Sequence, residues 1–146
     1  SATVLEGSGL PLLPGGRIIL AGSFSDFFAE GGARYPGAET FRFSYQPAAE
    51  VLATELESFR ARLGGARAVV VNVANPAGAA FARTAARAGV PVFLVSVLSP
   101  VYALDAGPIT GGVAVYNGSR ESFAAAFAVL SGAVEGGGIL PIPRTP

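Results

Sequence analysis

Hydrogen-bonding side chains gather in the segments that follow apolar runs of this sequence, where they would meet a ligand or another domain. Most are serines, asparagines and tyrosines, which form hydrogen bonds but are neither strong acids nor strong bases; Asp26 is the exception. Such groups could contact a sugar or rest against a neighbouring domain, although capping of their own loops is the simpler interpretation. The candidate contact residues are Ser23, Ser25, Asp26, Asn72, Asn75, Ser99, Tyr102, Tyr116 and Asn117.

The residue types that are missing exclude several classes of chemistry. The chain contains no histidine or cysteine, and all ten of its basic residues are arginine. It therefore offers no thiolate nucleophile, no Ser-His pair, no zinc site of the usual kind and no lysine for a Schiff base or a phosphate loop. The glycines near residue 22 lack the dinucleotide-binding spacing, and those at 136–138 follow a helix instead of opening one. We expect no metal or other cofactor.

Composition points to one globular domain. The 146 residues are 51% hydrophobic and 14% charged, which is the opposite of the balance found in disordered chains. The formal net charge is zero and the pI is about 6.2, so there is no basic footprint for nucleic acid. No apolar run approaches the roughly 20 residues that cross a bilayer, and no membrane span is expected.

Short apolar runs alternate with helical patterns along the chain. The predicted strands cover 17–22, 40–44, 68–73, 91–97 and 113–116, and the predicted helices cover 47–63, 76–88 and an alanine-rich segment after residue 119. Ser119 is a predicted N-cap, Gly132 a predicted helix end, and Pro47 suits a first helical turn. Residues 23–37 are predicted to form a loop with at most one helical turn, and residues 99–108 a loop or a single turn.

Alternation of buried strands with helices predicts an α/β sandwich of three layers, with a mostly parallel sheet covered on both faces. Right-handed crossovers leave few topologies, and we expect a flavodoxin-like sheet of five strands in the order 2-1-3-4-5. Residues 17–146 would form this domain. Residues 1–16 would be a lead-in or linker arm, or alternatively an ordered arm packed on an edge of the sheet.

The proposed strand order also predicts where a ligand would bind. Open parallel sheets bind ligands beyond the carboxyl ends of their strands, at the point where the strand order reverses. That point falls between the loops after the first and third predicted strands. One loop offers Ser23, Ser25 and Asp26, and the other offers Asn72 and Asn75.

The segment 111–143 resembles the end of the C-terminal domain of glycoside hydrolase family 3, especially its bacterial β-N-acetylhexosaminidase branch. A strand ending in tyrosine leads through a turn to an alanine-rich helix, and a glycine-rich tail with Leu-Pro follows. The lead-in residues Thr3-Val4-Leu5 and Leu10-Pro11-Leu12 also fit that family's pattern. The matching residues of the final segment are Tyr116, Ser119, Ala124, Ala125, Ala126, Leu130, Gly132, Gly138, Leu140 and Pro141.

The resemblance implies that this chain is a non-catalytic domain of a larger retaining β-N-acetylhexosaminidase. In that branch the nucleophilic aspartate and the Asp-His acid/base pair belong to an N-terminal (β/α)8 barrel, which would be the partner within the same polypeptide; carbohydrate is the other partner considered. Ser99–Leu104 lacks the arginine and adjacent aspartate that the family carries after its fourth strand. No two of the chain's carboxylates are placed as a catalytic couple, and we expect the chain alone to be inactive.

Two other functions are compatible with the residues themselves. A free-standing flavodoxin-like module could bind a small polar ligand at the switch point. A bare interaction domain or oligomer subunit would instead present an apolar face lined by the lead-in segment.

Overall fold

The chain folds as an α/β sandwich around one six-stranded sheet. The computed structural model describes residues 2–97 and 100–133. The sheet order is β1-β6-β5-β4-β2-β3, and every neighbouring pair is parallel except β1 with β6. The strands are β1 (Thr3–Glu6), β2 (Ile18–Gly22), β3 (Glu39–Arg42), β4 (Ala68–Val73), β5 (Val92–Val97) and β6 (Gly111–Val115). The predicted class is confirmed, and the five parallel strands lie in the order 2-1-3-4-5 when β1 is left aside.

The prediction of five strands is wrong because the lead-in contributes a sixth. β1 pairs antiparallel with β6, with Thr3 opposite Ala114 and Val4 opposite Val113. Four residues between Ala2 and Gly7 give little periodicity, and their partner lies more than 100 residues later in the chain. Such long-range pairing cannot be read from a local pattern. Beyond β1, Leu12 is also buried, and its N–H donates to the carbonyl of Leu130 at 2.9 Å.

The segment predicted as a loop before β3 contains a full helix, α1 (Ser25–Arg34). Two glycines lower its intrinsic helix propensity, each by about 1 kcal/mol relative to alanine, and so hide the pattern. Packing explains one of them: a Cβ added to Gly31 would lie 2.7 Å from the Phe127 ring and 2.8 Å from Leu20. Burial of Phe27 on the sheet outweighs the weak propensity.

The other helices match their predictions closely. They are α2 (Ala49–Ala61), α3 (Pro76–Arg87) and α4 (Arg120–Leu130), and a 3-10 segment covers Pro100–Ala106. Ser119 caps α4 by accepting from the Ser122 N–H at 3.2 Å, and Gly132 follows the helix with φ +83°. Both predictions are confirmed. Pro47 was expected in the first turn of α2, but the helix begins two residues later, with Ala48 as N-cap. The predicted strand 40–44 is observed as β3, half-exposed at the sheet edge.

Each face of the sheet carries its own apolar core. On one face α1 and α4 bury Phe27, Phe123 and Phe127. The centroid of the Phe27 ring lies 5.8 Å from that of Phe123 and 5.3 Å from that of Phe127. On the other face α2 and α3 bury Phe59 and Phe81, with ring centroids 5.2 Å apart. The sheet is therefore covered on both sides, and only its edges and strand ends meet solvent or a partner.

Candidate functional site

The predicted switch point lies between β2 and β4. These strands are neighbours, with Ala21 opposite Val71, and the chain leaves them toward opposite sides of the sheet. Their carboxyl ends lead into the N-termini of α1 and α3. We refer to the strand ends on this side, with the loops that follow them, as the carboxyl edge. The loop after β6 lies on the same edge, farther along the sheet.

Ser23 and Ser25 are tied to the end of the neighbouring strand β3. The Ser23 hydroxyl donates to the carbonyl of Phe43 at 2.7 Å. The Arg42 guanidinium donates to the Ser23 carbonyl at 2.9 Å and to the Ser25 hydroxyl at 3.0 Å, and lies 5.1 Å from the centre of the Phe28 ring. These bonds hold the β2–α1 loop against β3. Asp26 lies in the first turn of α1, where a negative charge complements the helix dipole.

Two asparagines near the carboxyl end of β4, one in the strand and one after it, also form hydrogen bonds within the chain. Asn75 Oδ1 accepts from the backbone N–H groups of Ala77 at 3.1 Å and Gly78 at 3.3 Å, which caps α3. Its Nδ2 donates to the carbonyl of Tyr45 at 2.5 Å. Asn72 is buried, and its Nδ2 donates to the carbonyl of Val95 at 3.1 Å. Both side chains join neighbouring elements across the carboxyl edge.

The remaining candidates are spread along the same side of the sheet. Tyr116 directly follows β6 and its side chain is 79% exposed. Asn117 Oδ1 accepts from the Ser119 N–H at 3.0 Å and the Ser122 hydroxyl at 2.7 Å, which shapes the turn before α4. Tyr102 packs against the core beneath α3. Ser99 lies outside the described residues. Whether any of the nine candidates touches a ligand or another domain stays a prediction.

A shallow groove of about 510 Å³ lies on the carboxyl edge beside the start of α3. Sequence reasoning missed most of its lining, because the loop after β3 was not taken as part of the site. The available signal was that this loop also follows a parallel strand. Arg83 lines the groove, and its guanidinium donates to the carbonyl of Asp105. The lining residues are Tyr45, Gln46, Pro47, Leu52, Asn75, Pro76, Ala77, Ala80 and Arg83.

The hydroxyl of Ser96, near this edge, is buried and has no hydrogen-bond partner among the described residues. Ser96 belongs to β5 and is 1% exposed. It lies opposite Val73 of β4 and Ala114 of β6. It does not line the groove.

The carboxylates with resolved contacts are engaged in holding the fold. Glu55 accepts from the Ser44 N–H and hydroxyl, at 2.8 to 3.2 Å. The pKa of Glu39 is lowered mainly by a hydrogen bond from Arg17 and further by one from Arg62. A hydrogen bond from Arg60 lowers the pKa of Glu57. A general acid needs a pKa raised toward the working pH, and these two shifts run the other way.

Neither a metal cluster nor a membrane helix is found in the part of the chain that the structure describes. Across residues 2–97 and 100–133, no three histidine, cysteine or acidic side chains come together in a group that could hold a metal ion. No helix within these ranges is long and apolar enough to cross a bilayer.

Comparison with known proteins identifies the fold. No protein-family model matches the sequence, and no curated protein sequence matches it significantly. Among solved structures, the chain is similar to the family 3 β-N-acetylglucosaminidase from Paenibacillus sp. str. FPU-7, with a TM-score of 0.71 and 18% identity. It is also similar to a fungal multi-domain family 3 β-N-acetylglucosaminidase that has a GCN5-related glucosamine N-acetyltransferase region, with a TM-score of 0.72 and 16% identity.

Both alignments cover nearly all of this chain but only a minor part of the longer protein. These alignments cover 98% and 92% of this chain, but only 30% and 17% of the Paenibacillus and fungal chains. The β-glucoside phosphorylase BglX is a more distant match, with a TM-score of 0.54 and 15% identity over 27% of its length. At these identities the comparison establishes a shared fold. The chain has the fold of one region within much longer proteins.

Proposed function

We propose that this chain is the non-catalytic C-terminal accessory domain of a family 3 glycoside hydrolase. It packs against an N-terminal (β/α)8 barrel of the same polypeptide, and the parent enzyme is a retaining β-N-acetylhexosaminidase. The observation that carries the proposal is the fold match with two β-N-acetylglucosaminidases. The match covers nearly the whole of this chain but less than a third of either enzyme. The resemblance of segment 111–143 to the end of that family's C-terminal domain supports the same assignment.

The chemistry of the described residues agrees with an accessory role. Retaining glycosidases need a nucleophile and an acid/base group, about 5 Å apart in the usual pair of carboxylates. Here Glu39, Glu57 and Glu30 pair with arginines, and Glu55 binds a backbone N–H and a hydroxyl. These four carboxylates are thus occupied by contacts within the domain. Under this proposal, the reacting groups belong to the barrel.

The test is the length of the native polypeptide. An antibody raised against the purified chain would capture the native protein from the source organism, and mass spectrometry would sequence it. We expect a polypeptide several times larger than 14.7 kDa, with peptides that run continuously from a barrel-type sequence into Ser1. A native polypeptide no larger than the chain itself would overturn the proposal.

The 510 Å³ groove favours a second candidate function, a free-standing module that binds a small polar ligand. Its lining combines an aromatic ring, amides and an arginine, which can stack on and form hydrogen bonds with a hydroxylated ligand. Titration of the isolated chain with N-acetylglucosamine, followed by backbone NMR, tests this function. Saturable shifts confined to Tyr45–Pro47 and Asn75–Ala80 would support it, and no shift at millimolar sugar would exclude this sugar as the ligand.

A further inference from the structure

The carboxyl edge has features of a docking surface that the proposed function does not by itself specify. We infer that this edge, with Tyr116 and Tyr45 as its exposed aromatic anchors, is the surface on which the chain contacts the domain that precedes it. The inference rests on the proposed function, because it takes a preceding domain in the same polypeptide as the partner.

The direction of β1 determines where such a domain would be attached. β1 is antiparallel to β6, and Thr3 lies opposite Ala114 near the carboxyl end of β6. Ala2 is buried in the core beneath this end of the sheet. Because the chain enters the sheet at its carboxyl edge, any preceding domain is tethered beside Tyr116. Each linking residue adds at most about 3.6 Å of reach, so a short link keeps the two domains close.

Exposed apolar side chains are concentrated on the same side. Tyr116 is 79% exposed after β6, Val51 is 42% exposed in the first turn of α2, and Tyr45 is 40% exposed after β3. Leu13, 59% exposed, is the one large apolar residue of comparable exposure elsewhere in the described ranges. Tyrosine is enriched at interface centres, because its ring buries a large area at little cost in side-chain entropy.

The aromatic anchors continue into the core of the domain. The Tyr45 ring lies 5.6 Å from the Phe24 ring, which lies 5.9 Å from the ring of Phe123. A Cβ added to Gly118, two residues after Tyr116, would contact Phe24 at 3.7 Å. An apolar strip therefore runs along the carboxyl edge from Tyr45 toward the loop that carries Tyr116. A surface supported in this way stays in place when a partner covers it.

The neutral polar groups of the carboxyl edge would cost little to bury. Ser23, Asn75 and Asn117 already form hydrogen bonds within the chain, so a partner need not satisfy them. Charged side chains lie at both ends of the strands: Arg42 and Asp26 at the carboxyl edge, and Arg17 and Arg67 at the amino ends with their adjoining loops, which we call the amino edge. Covering such charges requires desolvation at either edge.

Hydroxyl-radical footprinting of the native polypeptide and of the isolated chain tests the inference. We expect the labelling rates of Tyr116 and Tyr45 to fall at least threefold in the native polypeptide, while that of Leu13 stays within a factor of 1.5. A Tyr116→Phe variant of the native polypeptide should keep the protection of Tyr45. A Tyr116→Ser variant should raise Tyr45 labelling toward the rate in the isolated chain, and Leu13→Ser should not.

Each other outcome has a distinct meaning. Unchanged labelling of Tyr116 in a longer native polypeptide would overturn the docking surface and leave the proposed function standing. Protection of Leu13 without Tyr116 would place the contact on the opposite edge and also overturn it. Protection of Tyr116 that appears in the isolated chain as its concentration rises would assign the surface to a second copy. A native polypeptide of 14.7 kDa would overturn the proposed function and this inference together.

Discussion

The two ends of the strands are held by different chemistry. At the amino ends, Arg17 pairs with Glu39 and donates to the carbonyls of Gly64 and Arg62, each at 2.6 Å, and Arg67 donates to the carbonyls of Leu13 and Gly15. At the carboxyl ends, neutral serine and asparagine side chains make many of the connections, and Arg42, Glu55 and Arg83 add charged ones.

This difference separates two tasks of the molecule. Long arginine side chains can reach several carbonyls at once, so they fasten loops that have no regular structure. Neutral caps close the carboxyl edge at short range and leave room for exposed aromatic rings. The side chains at the amino edge, the amino ends of the strands with their adjoining loops, therefore act mainly to hold the fold together. Those at the carboxyl edge also leave a surface that a partner can cover.

The two edges should differ most in how much stability is lost when a glycine is replaced by alanine. A Cβ on Gly78, in the first turn of α3, would lie 2.8 Å from the Asn72 carbonyl oxygen and 3.0 Å from Val73 Cα. We expect Gly78→Ala to lower the free energy of unfolding by about 1–3 kcal/mol, because the helix must move off the sheet. Gly64→Ala at the amino edge is the matched control, since nothing lies within 4 Å of its added Cβ. Urea unfolding measures both, and equal losses would contradict the close approach of α3.

Removal of the α3 cap should have the next largest effect. Asn75→Ala deletes the acceptor for two backbone N–H groups and the donor to Tyr45, and we expect a loss of about 1–2 kcal/mol by urea unfolding. Asn75→Asp keeps the cap acceptor and loses only the donor, so it should retain part of the stability. If Asn75→Ala unfolds at the wild-type urea concentration, the side chain is free for a ligand instead of holding the carboxyl edge.

At the amino edge, the contribution of Glu39 should depend on pH and salt. Hydrogen bonds from Arg17 and Arg62 lower its pKa in the folded state. A lowered folded pKa gives stability that is present above the ordinary value of 4.5 and is lost as pH falls through the folded value. We expect Glu39→Gln to melt below wild type at pH 7, with the difference in Tm shrinking below pH 4.5.

The same ion pairs are partly exposed, with side-chain exposures of 32% to 39%. Salt should therefore reduce the difference in Tm between Glu39→Gln and wild type at pH 7 when the measurement is made in 1 M instead of 0.1 M NaCl, because the Debye length falls from about 10 Å to about 3 Å. A difference that stays constant from pH 7 to pH 3 would show that the network acts through packing alone.

The smallest effect is expected at Tyr116. Its ring is 79% exposed, so Tyr116→Ser should change the free energy of unfolding of the isolated chain by less than about 0.5 kcal/mol. The same substitution is predicted to weaken docking in the native polypeptide. A loss of stability comparable with that of Asn75→Ala would mean that Tyr116 belongs to the fold and not to a contact surface.

Local patterns predicted most of the fold because the physics there is local. Largely apolar runs located β4 and β5, and Ser119 and Gly132 marked the ends of α4 as expected. β1 was missed because its stability comes from a partner far along the chain, and α1 because packing overrides its two glycines. The tail after residue 133, including Leu140 and Pro141, lies outside the described residues.

The sequence order predicted which candidate residues lie at the same end of the strands but not their hydrogen bonds. Parallel strands bring their carboxyl ends to one edge, so the sequence order sufficed to group Ser23 with Asn75. Asn75 followed by Pro76 is also a helix-start pattern that indicates a cap. The bonds from Arg42 to Ser23 and Ser25 join residues 17 to 19 positions apart, and no local pattern indicates them.

The most direct test of the account is hydrolysis of 4-nitrophenyl N-acetyl-β-D-glucosaminide by the purified 146-residue chain, measured beside the captured native polypeptide at equal molar concentration. The account predicts release of 4-nitrophenol by the native polypeptide and none above background by the chain alone. Turnover by the isolated chain in proportion to its concentration would contradict it, because the reacting groups would then lie within these residues.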